Sequence, residues 1–365
     1  MNWLITGGAG FIGSCLVHQL WKAGDASIRI VDSLTSGLCG SLGSCDQFAT
    51  IGREQLRRSC GSVAYRELAP PDLAGPPEGI ELVVADIADA NLALRAAEGA
   101  EVIVHLAASS GVQPSIADPR LDCTTNVVGT LNYLEAARLQ AVPRFIFASS
   151  GAVIGDITPP IHEEMVPRPK SPYGASKSAC EGYLSAYQGS FGIDTVALRF
   201  ANVYGPGSSR EESVVARFIL RALAGESLEI YGDGSRSRDF IYVDDLVRAV
   251  VKAAHTPGVG GEVFQIASGR ETGIGELATL LLPLLEAAGI GGVEVSYTDP
   301  LPGEIRRNYS DCSKAERLLD WRAEVDLVEG LKRTLDWYLE LTRSKNIQRR
   351  TLQVYGPDEA VLDRP

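Results

Sequence analysis

Short apolar runs and longer amphipathic runs alternate through the first half of the chain. The apolar runs are typical of strands that are buried on both faces of a parallel sheet. We expect such strands at residues 2–6, 28–31, 81–85, 102–106 and 145–148. Between them, amphipathic segments such as 11–23 predict helices, with Phe11, Leu16 and Leu20 at helical spacing. This alternation predicts an α/β fold with a doubly wound parallel sheet, which binds ligands at the carboxyl ends of its strands.

The second half predicts a smaller α/β lobe that is interleaved with the sheet domain in sequence. The expected division is 1–197 and about 239–268 for the sheet domain, and 198–238 with 269–342 for the smaller lobe. Residues 263–267 predict a strand that returns to the sheet, whereas 275–288 and 313–341 predict helices.

Two segments carry no assignable chemistry. Residues 38–79 are rich in Gly, Ser and Pro, which predicts a surface excursion, with a short helix around 53–58. Residues 343–365 are polar and lack periodicity, which predicts a mobile tail.

The composition of the 365-residue chain is ordinary for a globular protein, with 45% hydrophobic and 22% charged residues. A formal net charge of −12 argues against nucleic acid and anionic membranes as partners. The most apolar later run, 277–288, contains Pro283 and Glu286 and is too short to span a bilayer. Seven scattered cysteines and no visible secretory signal predict free thiols in a cytoplasmic protein. The four histidines share no ligand spacing, so we expect no metal site.

A glycine-rich loop, Gly7-Gly8-Ala9-Gly10-Phe11-Ile12-Gly13, follows the first strand. Its glycines at positions 7, 10 and 13 permit a tight turn, close approach of the backbone to a pyrophosphate, and close packing of helix on strand. The N-terminus of the next helix adds unpaired N–H groups and a partial positive charge for the phosphates. The spacing is G-x-x-G-x-x-G, which differs from the G-x-G-x-x-G of other dinucleotide folds. The loop therefore predicts dinucleotide binding.

Asp32 ends the second strand, nineteen residues after Gly13. A carboxylate there can accept both hydroxyls of an adenosine ribose and would repel a 2′-phosphate, which favours NAD over NADP. A strand-end aspartate that only caps the next turn is the alternative interpretation. Further along, Ala107 and Ala108 follow an apolar run, and their small side chains let the backbone approach a cofactor closely.

The stretch Ser171-Pro172-Tyr173-Gly174-Ala175-Ser176-Lys177 carries the candidate catalytic groups. Pro172 fits the first turn of a helix, which would place Tyr173 and Lys177 four residues apart on one face. The ammonium favours the phenolate, so we expect the pKa of Tyr173 to fall from about 10 towards neutrality. Such a phenolate is a general base for a hydroxyl group at pH 7. A chance Tyr–Lys pair is the alternative, because this spacing alone is a weak signal.

Taken together, several motifs resemble the extended short-chain dehydrogenase/reductase family. They are residues 6–13, Asp86-Ile87, His105-Leu106-Ala107-Ala108, Ser149-Ser150 and residues 173–177, continued by 198–206 and 232–245. The resemblance covers about residues 2–340 in the family's order, and within the family the chain is most similar to the UDP-sugar 4-epimerases. It implies a Rossmann fold with NAD as cofactor and a UDP-sugar as substrate.

The resemblance also implies which residues act. For catalysis it points to Ser150, Tyr173 and Lys177, the last also bonding the nicotinamide ribose. For the cofactor it implies Gly7, Gly10, Phe11, Ile12, Gly13, Asp32, Asp86, Ile87, Leu106, Ala107 and Ala108. For the substrate it implies Ser150, Asn202 at the sugar diphosphate, and Arg238 and Arg306 at the nucleotide. An acidic protein needs such arginines to hold a diphosphate by bidentate contacts, although surface ion pairs are the alternative for Arg306 and Arg307.

The implied reaction is NAD-dependent epimerisation at C4 of a UDP-hexose of the UDP-glucose type, through a 4-keto intermediate, in a homodimer. UDP-glucuronate and UDP-N-acetylglucosamine 4-epimerases are alternatives. Sugar-nucleotide 4,6-dehydratases and decarboxylases share the first oxidation. A redox-silent NAD-binding regulatory protein is the non-enzymatic alternative, which the intact Ser150, Tyr173 and Lys177 disfavour.

The two residues after Ser150 bear on the reaction outcome. Family dehydratases carry Asp-Glu directly after the active-site hydroxyl residue, and the decarboxylases carry Glu at the second of these positions. This chain has Gly151 and Ala152, which cannot move a proton at C5 or C6. We therefore expect hydride to return to C4.

Asn308 is the candidate determinant of substrate choice. Alignment on residues 311–315 places it where some family members have a tyrosine that faces the C2 substituent of the sugar. Asparagine is smaller, which predicts room for an N-acetyl group and an amide that can hydrogen-bond to it. Tyr309 is adjacent, so a shift of one residue would return an aromatic ring to this place.

Overall fold

The computed structural model describes residues 1–24, 27–35, 66–208, 213–300 and 305–343. The predicted helix around 53–58, the 38–65 part of the predicted excursion and the 344–365 part of the predicted tail lie outside the described residues. The part of the excursion that the structure describes contains a short strand at the edge of the sheet, Arg66–Leu68, and a 3-10 turn, Pro70–Asp72. An ion pair of 2.6 Å between Arg66 and Glu81 joins this strand to its neighbour in the sheet.

Eight parallel strands form the main sheet. They are β1 Asn2–Thr6, β2 Ser27–Asp32, β3 Arg66–Leu68, β4 Ile80–Val84, β5 Val102–His105, β6 Arg144–Ser150, β7 Asp194–Phe200 and, later in the chain, β12 Val263–Ile266. Their order is β12-β7-β6-β5-β1-β2-β4-β3, and every neighbouring pair is parallel. The sheet grows outwards in both directions from β1. The predicted doubly wound sheet is thus confirmed, and its switch point lies between β1 and β5, where such sheets bind ligands.

The other strands form three two-stranded ladders. β8 Asn202–Tyr204 pairs with β11 Phe240–Tyr242, β9 Leu228–Tyr231 with β14 Val295–Thr298, and β10 Ser237–Arg238 with β13 Thr272–Gly273. The first two ladders are parallel and the third is antiparallel.

The helices alternate with the strands in the predicted manner. They are α1 Phe11–Lys22, α2 Ala90–Ala96, α3 Val112–Ala117, α4 Pro119–Cys123, α5 Gly129–Leu139, α6 Pro172–Phe191, α7 Val214–Leu223, α8 Val243–His255, α9 Ile274–Ala287, α10 Ser313–Leu319 and α11 Leu327–Arg343. A π-turn, Thr124–Val128, joins α4 to α5. The π-turn and α5 therefore form one continuous helical segment.

Each face of the sheet packs against its own hydrophobic core. β1 shows why: Trp3 and Ile5 enter one core, whereas Leu4, pointing the opposite way, enters the other. A third core lies among the later helices and includes Phe218, Leu281 and Leu335.

The predicted helix at 313–341 is wrong as one element, because the chain breaks it after Leu319. Asp320 ends α10 with a left-handed backbone, φ +49°. Trp321 then donates its Nε1–H to the carbonyl of Asp245 at 2.9 Å, and the carboxylate of Asp245 accepts the N–H groups of Glu324 and Val325. These contacts stabilise the turn and let α11 start afresh at Leu327.

The division into two lobes stays a prediction. β7 continues the sheet to Phe200, three residues past the expected boundary at 197, and β12 returns to the sheet within the expected 239–268 range. None of the helices in the described part of the chain has the length and apolar character that crossing a membrane requires.

Candidate active site

The glycine loop packs tightly at the carboxyl end of β1. Gly7 adopts φ +72°, and a Cβ built on it would lie 2.7 Å from the backbone nitrogen of Ala107. A Cβ on Gly13 would lie 2.2 Å from the carbonyl oxygen of Gly7. Gly10 caps α1, so Phe11 and Ile12 form its first turn and pack against the core. The loop thus leaves backbone N–H groups at a helix N-terminus and lies directly beside the loop that follows β5.

Asp32 lies beside this loop at the end of β2. Its Oδ2 accepts the N–H of Ala9 at 2.9 Å, and its Oδ1 accepts the N–H of Leu34 at 2.8 Å. Burial raises the pKa of Asp32, while the backbone donors, including Gly10, oppose that shift. The carboxylate therefore fixes the glycine loop and caps the turn after β2, and its contact with a cofactor ribose stays a prediction.

The loops after β4 and β5 carry the other predicted cofactor residues. Leu106 and Ala107 donate their N–H groups to the carbonyl and hydroxyl oxygens of Thr6 at 3.1 and 3.2 Å, which places them, with Ala108, at the switch point. Ile87 is buried, whereas Asp86 is exposed and accepts the N–H of Ala88 at 2.9 Å.

The helix predicted from Pro172 is confirmed as α6. Ser171 caps it by accepting the N–H of Gly174 at 3.2 Å, Pro172 occupies the first turn, and Gly192 ends it with φ +71°. A Cβ on Gly174 would lie 2.5 Å from the carbonyl oxygen of Ala152, so only glycine lets the helix approach the segment after Ser150 this closely.

Lys177 is buried beneath the predicted base. Its Nζ donates to the carbonyl of Ala148 at 2.8 Å and lies 4.7 Å from the ring centroid of Phe147 and 5.9 Å from that of Tyr173. Burial lowers the pKa of Lys177 to about 8. The structure thus brings Tyr173 and Lys177 to one face of α6, as predicted, and the lowered pKa of Tyr173 stays a prediction.

Ser150 is the last residue of β6. The strand was predicted to end at residue 148 and extends two residues further. Its Oγ accepts the N–H of Ala152 at 3.2 Å. Ser149, whose side chain points the other way, donates to Glu181 on α6 at 2.5 Å, and Glu181 forms a bidentate ion pair with Arg199 on β7. These buried contacts fix the end of β6 against α6.

Residues 305–310 lie beside the segment that follows Ser150. Ser237 and this segment form backbone hydrogen bonds, from Ser237 N–H to Arg306 and from Asn308 N–H to Ser237. The Nδ2 atom of Asn308 lies 3.8 Å from the position that a Cβ on Gly151 would occupy. It is therefore the side chain of Asn308 that lies beside the residue after Ser150.

The predicted arginines differ in their surroundings. Arg238 is half-buried and donates to the carbonyls of Ser237 and Ile305, both at 2.8 Å; burial, reinforced by the charge of Arg236, lowers its pKa to about 10. Arg306 and Asn202 are exposed. Arg307 forms a bidentate ion pair with Glu271, both bonds 2.6 Å long, so the surface ion pair is the correct interpretation of Arg307.

Sequence reasoning missed three buried polar residues that hold these segments together. Asp239 accepts N–H groups from Ser268, Gly269 and Ser310. Asn126 joins three segments near α6, and Asp122 lies beside it. The one available signal was the position of Asp239 directly after Arg238. Asp122 and Asn126 are only four residues apart, but the other partners of Asn126 and those of Asp239 lie far away in sequence.

The residues at the switch point fit a dinucleotide. The backbone cradle at Gly7 and Gly13 is too close for any side chain, and a helix N-terminus faces it. Together with a serine, a tyrosine and a lysine at the same edge, the fold defines a dinucleotide-dependent enzyme of the short-chain dehydrogenase type.

The comparisons with known proteins agree with this class. Residues 3–267 match the model of the NAD dependent epimerase/dehydratase family. The UDP-glucose 4-epimerase of Mycolicibacterium smegmatis is 37% identical over 93% of this chain and 98% of its own length. The crystal structure of the Thermotoga maritima UDP-glucose 4-epimerase with UDP-glucose has a TM-score of 0.78 and 35% identity, covering 93% of this chain and 99% of the other.

Enzymes that catalyse a different reaction are nearly as similar to this chain. DesIV of Streptomyces venezuelae, a dTDP-glucose 4,6-dehydratase with NAD bound, has a TM-score of 0.78 and 33% identity, covering 94% of this chain and 98% of the other. The chain belongs to the NAD-dependent epimerase/dehydratase family of the extended short-chain dehydrogenases. Its relatives include epimerases and dehydratases, so the family defines an NAD-dependent enzyme of the epimerase/dehydratase type.

Proposed function

We propose that the protein catalyses NAD-dependent epimerisation at C4 of a UDP-hexose of the UDP-glucose type. The observation that carries this proposal is the pair of residues after Ser150. A side chain at position 151 would face Asn308 Nδ2 and Ile161 Cδ1, at 3.8 and 3.6 Å from its Cβ. A carboxylate there would reach the site, and Gly151 supplies none. Without an acid to move a proton at C5 or C6, return of the hydride to C4 is the outcome that the chain supports.

The proposed mechanism assigns one task to each residue. Tyr173 takes the proton of the 4-hydroxyl, and Lys177 holds that phenolate by its positive charge. Ser150 donates a hydrogen bond to the same oxygen and polarises the carbonyl that forms there. The chemistry that bound NAD⁺ supplies is reversible acceptance of the hydride from C4. The 4-keto sugar turns over between the two half-reactions, so no external oxidant is consumed.

The proposed substrate site combines Asn202, Arg238, Arg306 and Asn308 with Ser150. The guanidinium of Arg238 is fixed by two backbone carbonyls and still has N–H groups for a diphosphate. We also propose that the protein is a cytoplasmic homodimer. The apolar side chains of Ile116 on α3 and Phe191 on α6 are 51% and 52% exposed, which supports a partner surface.

The test is turnover of a panel of UDP-sugars, including UDP-glucose, UDP-glucuronate and UDP-N-acetylglucosamine, with product stereochemistry determined by NMR. We expect inversion at C4 with no net change in bound NAD. A 4-keto-6-deoxy sugar or a pentose as the main product would show that the reaction is a dehydration or a decarboxylation. No turnover of any sugar, with NAD bound, would favour the redox-silent regulatory protein.

A prediction on substrate choice rests on Asn308. If its amide leaves room at C2, the wild type turns over UDP-N-acetylhexosamines at rates comparable to UDP-glucose. The Asn308→Tyr variant should then lose activity on the N-acetylated sugar by roughly 10-fold or more while keeping activity on UDP-glucose, since a ring excludes the larger group sterically. The measurement is the turnover rate of UDP-glucose and of UDP-N-acetylglucosamine with the wild type and with Asn308→Tyr.

The matched control is Asn308→Ala, which keeps the room and removes the amide. If this variant still turns over the N-acetylated sugar, the room beside residue 308 is what permits that substrate. If it loses this activity, the hydrogen bond from the Asn308 amide is what permits it. A wild type that epimerises UDP-glucose but ignores UDP-N-acetylglucosamine contradicts the prediction.

A further inference from the structure

Asp122 is a buried carboxylate that the proposed mechanism does not use. It lies on α4, directly before the π-turn, and is 1% exposed. Burial raises its pKa, while Ser176 and the charge of Lys177 oppose that shift. A buried carboxylate is costly unless its surroundings compensate it, so its hydrogen-bond partners show what it does.

Asn126 is the direct partner of Asp122. Its Nδ2 donates to Asp122 Oδ1 at 2.9 Å, and it also lies within 3.0 Å of Ser176 Oγ and 3.1 Å of the carbonyl of Ser109. Its Oδ1 accepts the N–H of Ser109 at 2.8 Å. One amide therefore joins α4, the loop after β5 and α6, which carries the candidate base.

The carboxylate, together with the N–H and carbonyl groups of Ser109, decides which way this amide points. An ionised carboxylate only accepts hydrogen bonds, so Nδ2 must face Asp122 and Oδ1 must face the N–H of Ser109. With the amide reversed, two acceptors would face each other and the N–H of Ser109 would lose its partner. The hydroxyl of Ser176 continues the chain, because Asp122 and the carbonyl of Tyr173, at 3.0 Å, both lie within its reach.

The charge of Asp122 also acts on Lys177, which follows the Asp122 partner Ser176 on α6, and opposes the lowering of the pKa of Lys177 by burial. The groups that act on this ammonium are Tyr173, Cys180 and Glu181 on α6, His105 on β5, and Asp122 on α4. Burial raises the pKa of Cys180 and lowers that of His105 to about 3, so both are neutral near pH 7. The charge of Glu181 is matched by Arg199 at 2.7 Å. Asp122 forms no ion pair within 4.0 Å with any residue that the structure describes.

We propose that Asp122 is a positioning residue of the candidate active site, which orients Asn126 and provides a buried counter-charge for Lys177. Its effect on turnover rests on the proposed function, because it acts through Lys177 on the base. Loss of the Asp122 charge alone should make it harder for the buried Lys177 to stay protonated. Loss of the acceptor as well should release the Asn126 amide and the loop at Ser109.

The experiment compares Asp122→Asn, Asp122→Ala and the control Asp320→Asn, which removes an exposed carboxylate that is paired with Lys252 at 2.8 Å. The protein is loaded with NAD⁺ and labelled with [ε-¹³C]lysine, and Lys177 is titrated by NMR, with its signal assigned from Lys177→Met. This readout needs no sugar substrate. Thermal unfolding and NAD⁺ retention are measured for each variant.

We expect the titration midpoint of Lys177 to fall by about one pH unit in Asp122→Asn and to stay unchanged in Asp320→Asn. The basic limb of kcat should move by the same amount, so that activity is nearly normal at pH 6 and roughly 10-fold lower well above pH 8. A purely structural role would lower kcat equally at all pH values. Asp122→Ala should also retain NAD⁺ several-fold less well than Asp122→Asn.

An unchanged Lys177 midpoint in folded Asp122→Asn would overturn the counter-charge, and equal NAD⁺ retention in both variants would overturn the orienting role. Should Asp122→Asn not fold, Asp122→Ser, which keeps a hydrogen-bond acceptor without charge, is titrated in its place. A wild type that turns over no UDP-sugar refutes the proposed function, while the Lys177 titration still decides the role of Asp122.

Discussion

Replacing Tyr173 by phenylalanine is expected to lower kcat by roughly 10²-fold or more while NAD stays bound. This is the scale of general acid–base catalysis, and the substitution removes only the proton acceptor. The phenylalanine ring keeps the position of the Tyr173 ring, whose centroid lies 5.9 Å from Lys177 Nζ. The packing around residue 173 should therefore change little. The measurement is the initial rate of C4 inversion at saturating UDP-sugar, together with the NAD content of the purified variant.

Tyr183→Phe is the matched control, since it makes the same change on the same helix at a side chain that is 41% exposed. Its activity should equal that of the wild type. A Tyr173→Phe enzyme within a few-fold of wild-type kcat would remove Tyr173 from the mechanism and with it the central assignment of the proposed function.

The second large effect is expected from Gly13→Ala. A Cβ at this position would lie 2.2 Å from the carbonyl oxygen of Gly7 and 2.6 Å from the Cα of Gly8. Both neighbours are backbone atoms, which cannot rotate away as a side chain would. The glycine loop must therefore move, and overpacking of this kind costs about 1–3 kcal/mol. If this cost falls on binding, NAD affinity drops roughly 5- to 150-fold.

Gly189→Ala controls for the exchange itself, because its Cβ would meet no described atom within 4 Å. Gly189 lies in the last turn of α6, where alanine is the better helix former, so this variant should unfold at a slightly higher temperature and bind NAD normally. Isothermal titration with NAD⁺ and thermal unfolding report both effects. Equal NAD affinity in Gly13→Ala and wild type would show that the loop does not hold the pyrophosphate.

The confirmed predictions depend on short sequence separations. The strands follow from apolar runs, and the doubly wound parallel sheet follows from the alternation of strands with helices. The placement of Tyr173 and Lys177 on one face follows from the helical repeat, with Ser171 and Pro172 marking the first turn. The tight packing of Gly7 and Gly13 follows from their spacing and from the strand before them. In each case the sequence signal lies within one strand, one turn or one loop.

What the tertiary structure alone decided involves residues that are distant in sequence. Nothing in the local pattern indicates that Asn308 lies beside Gly151, or that Arg307 is committed to Glu271. The apolar pattern of 313–341 is helical throughout, and only the contacts of Asp245 with the turn at 321–325 show where that helix breaks.

The same holds for the buried polar residues around α6. Asn126 and Ser176 are fifty residues apart, and the sequence gives no sign that a carboxylate at 122 fixes the amide between them. Hydrophobic periodicity records which face of an element is buried, because that depends on the residue's own element. It does not record which buried polar group meets which, since that depends on how separate elements pack. The sequence by itself therefore determined the sheet, the cofactor loop and the Tyr–Lys pair, and packing between elements determined the surroundings that orient them.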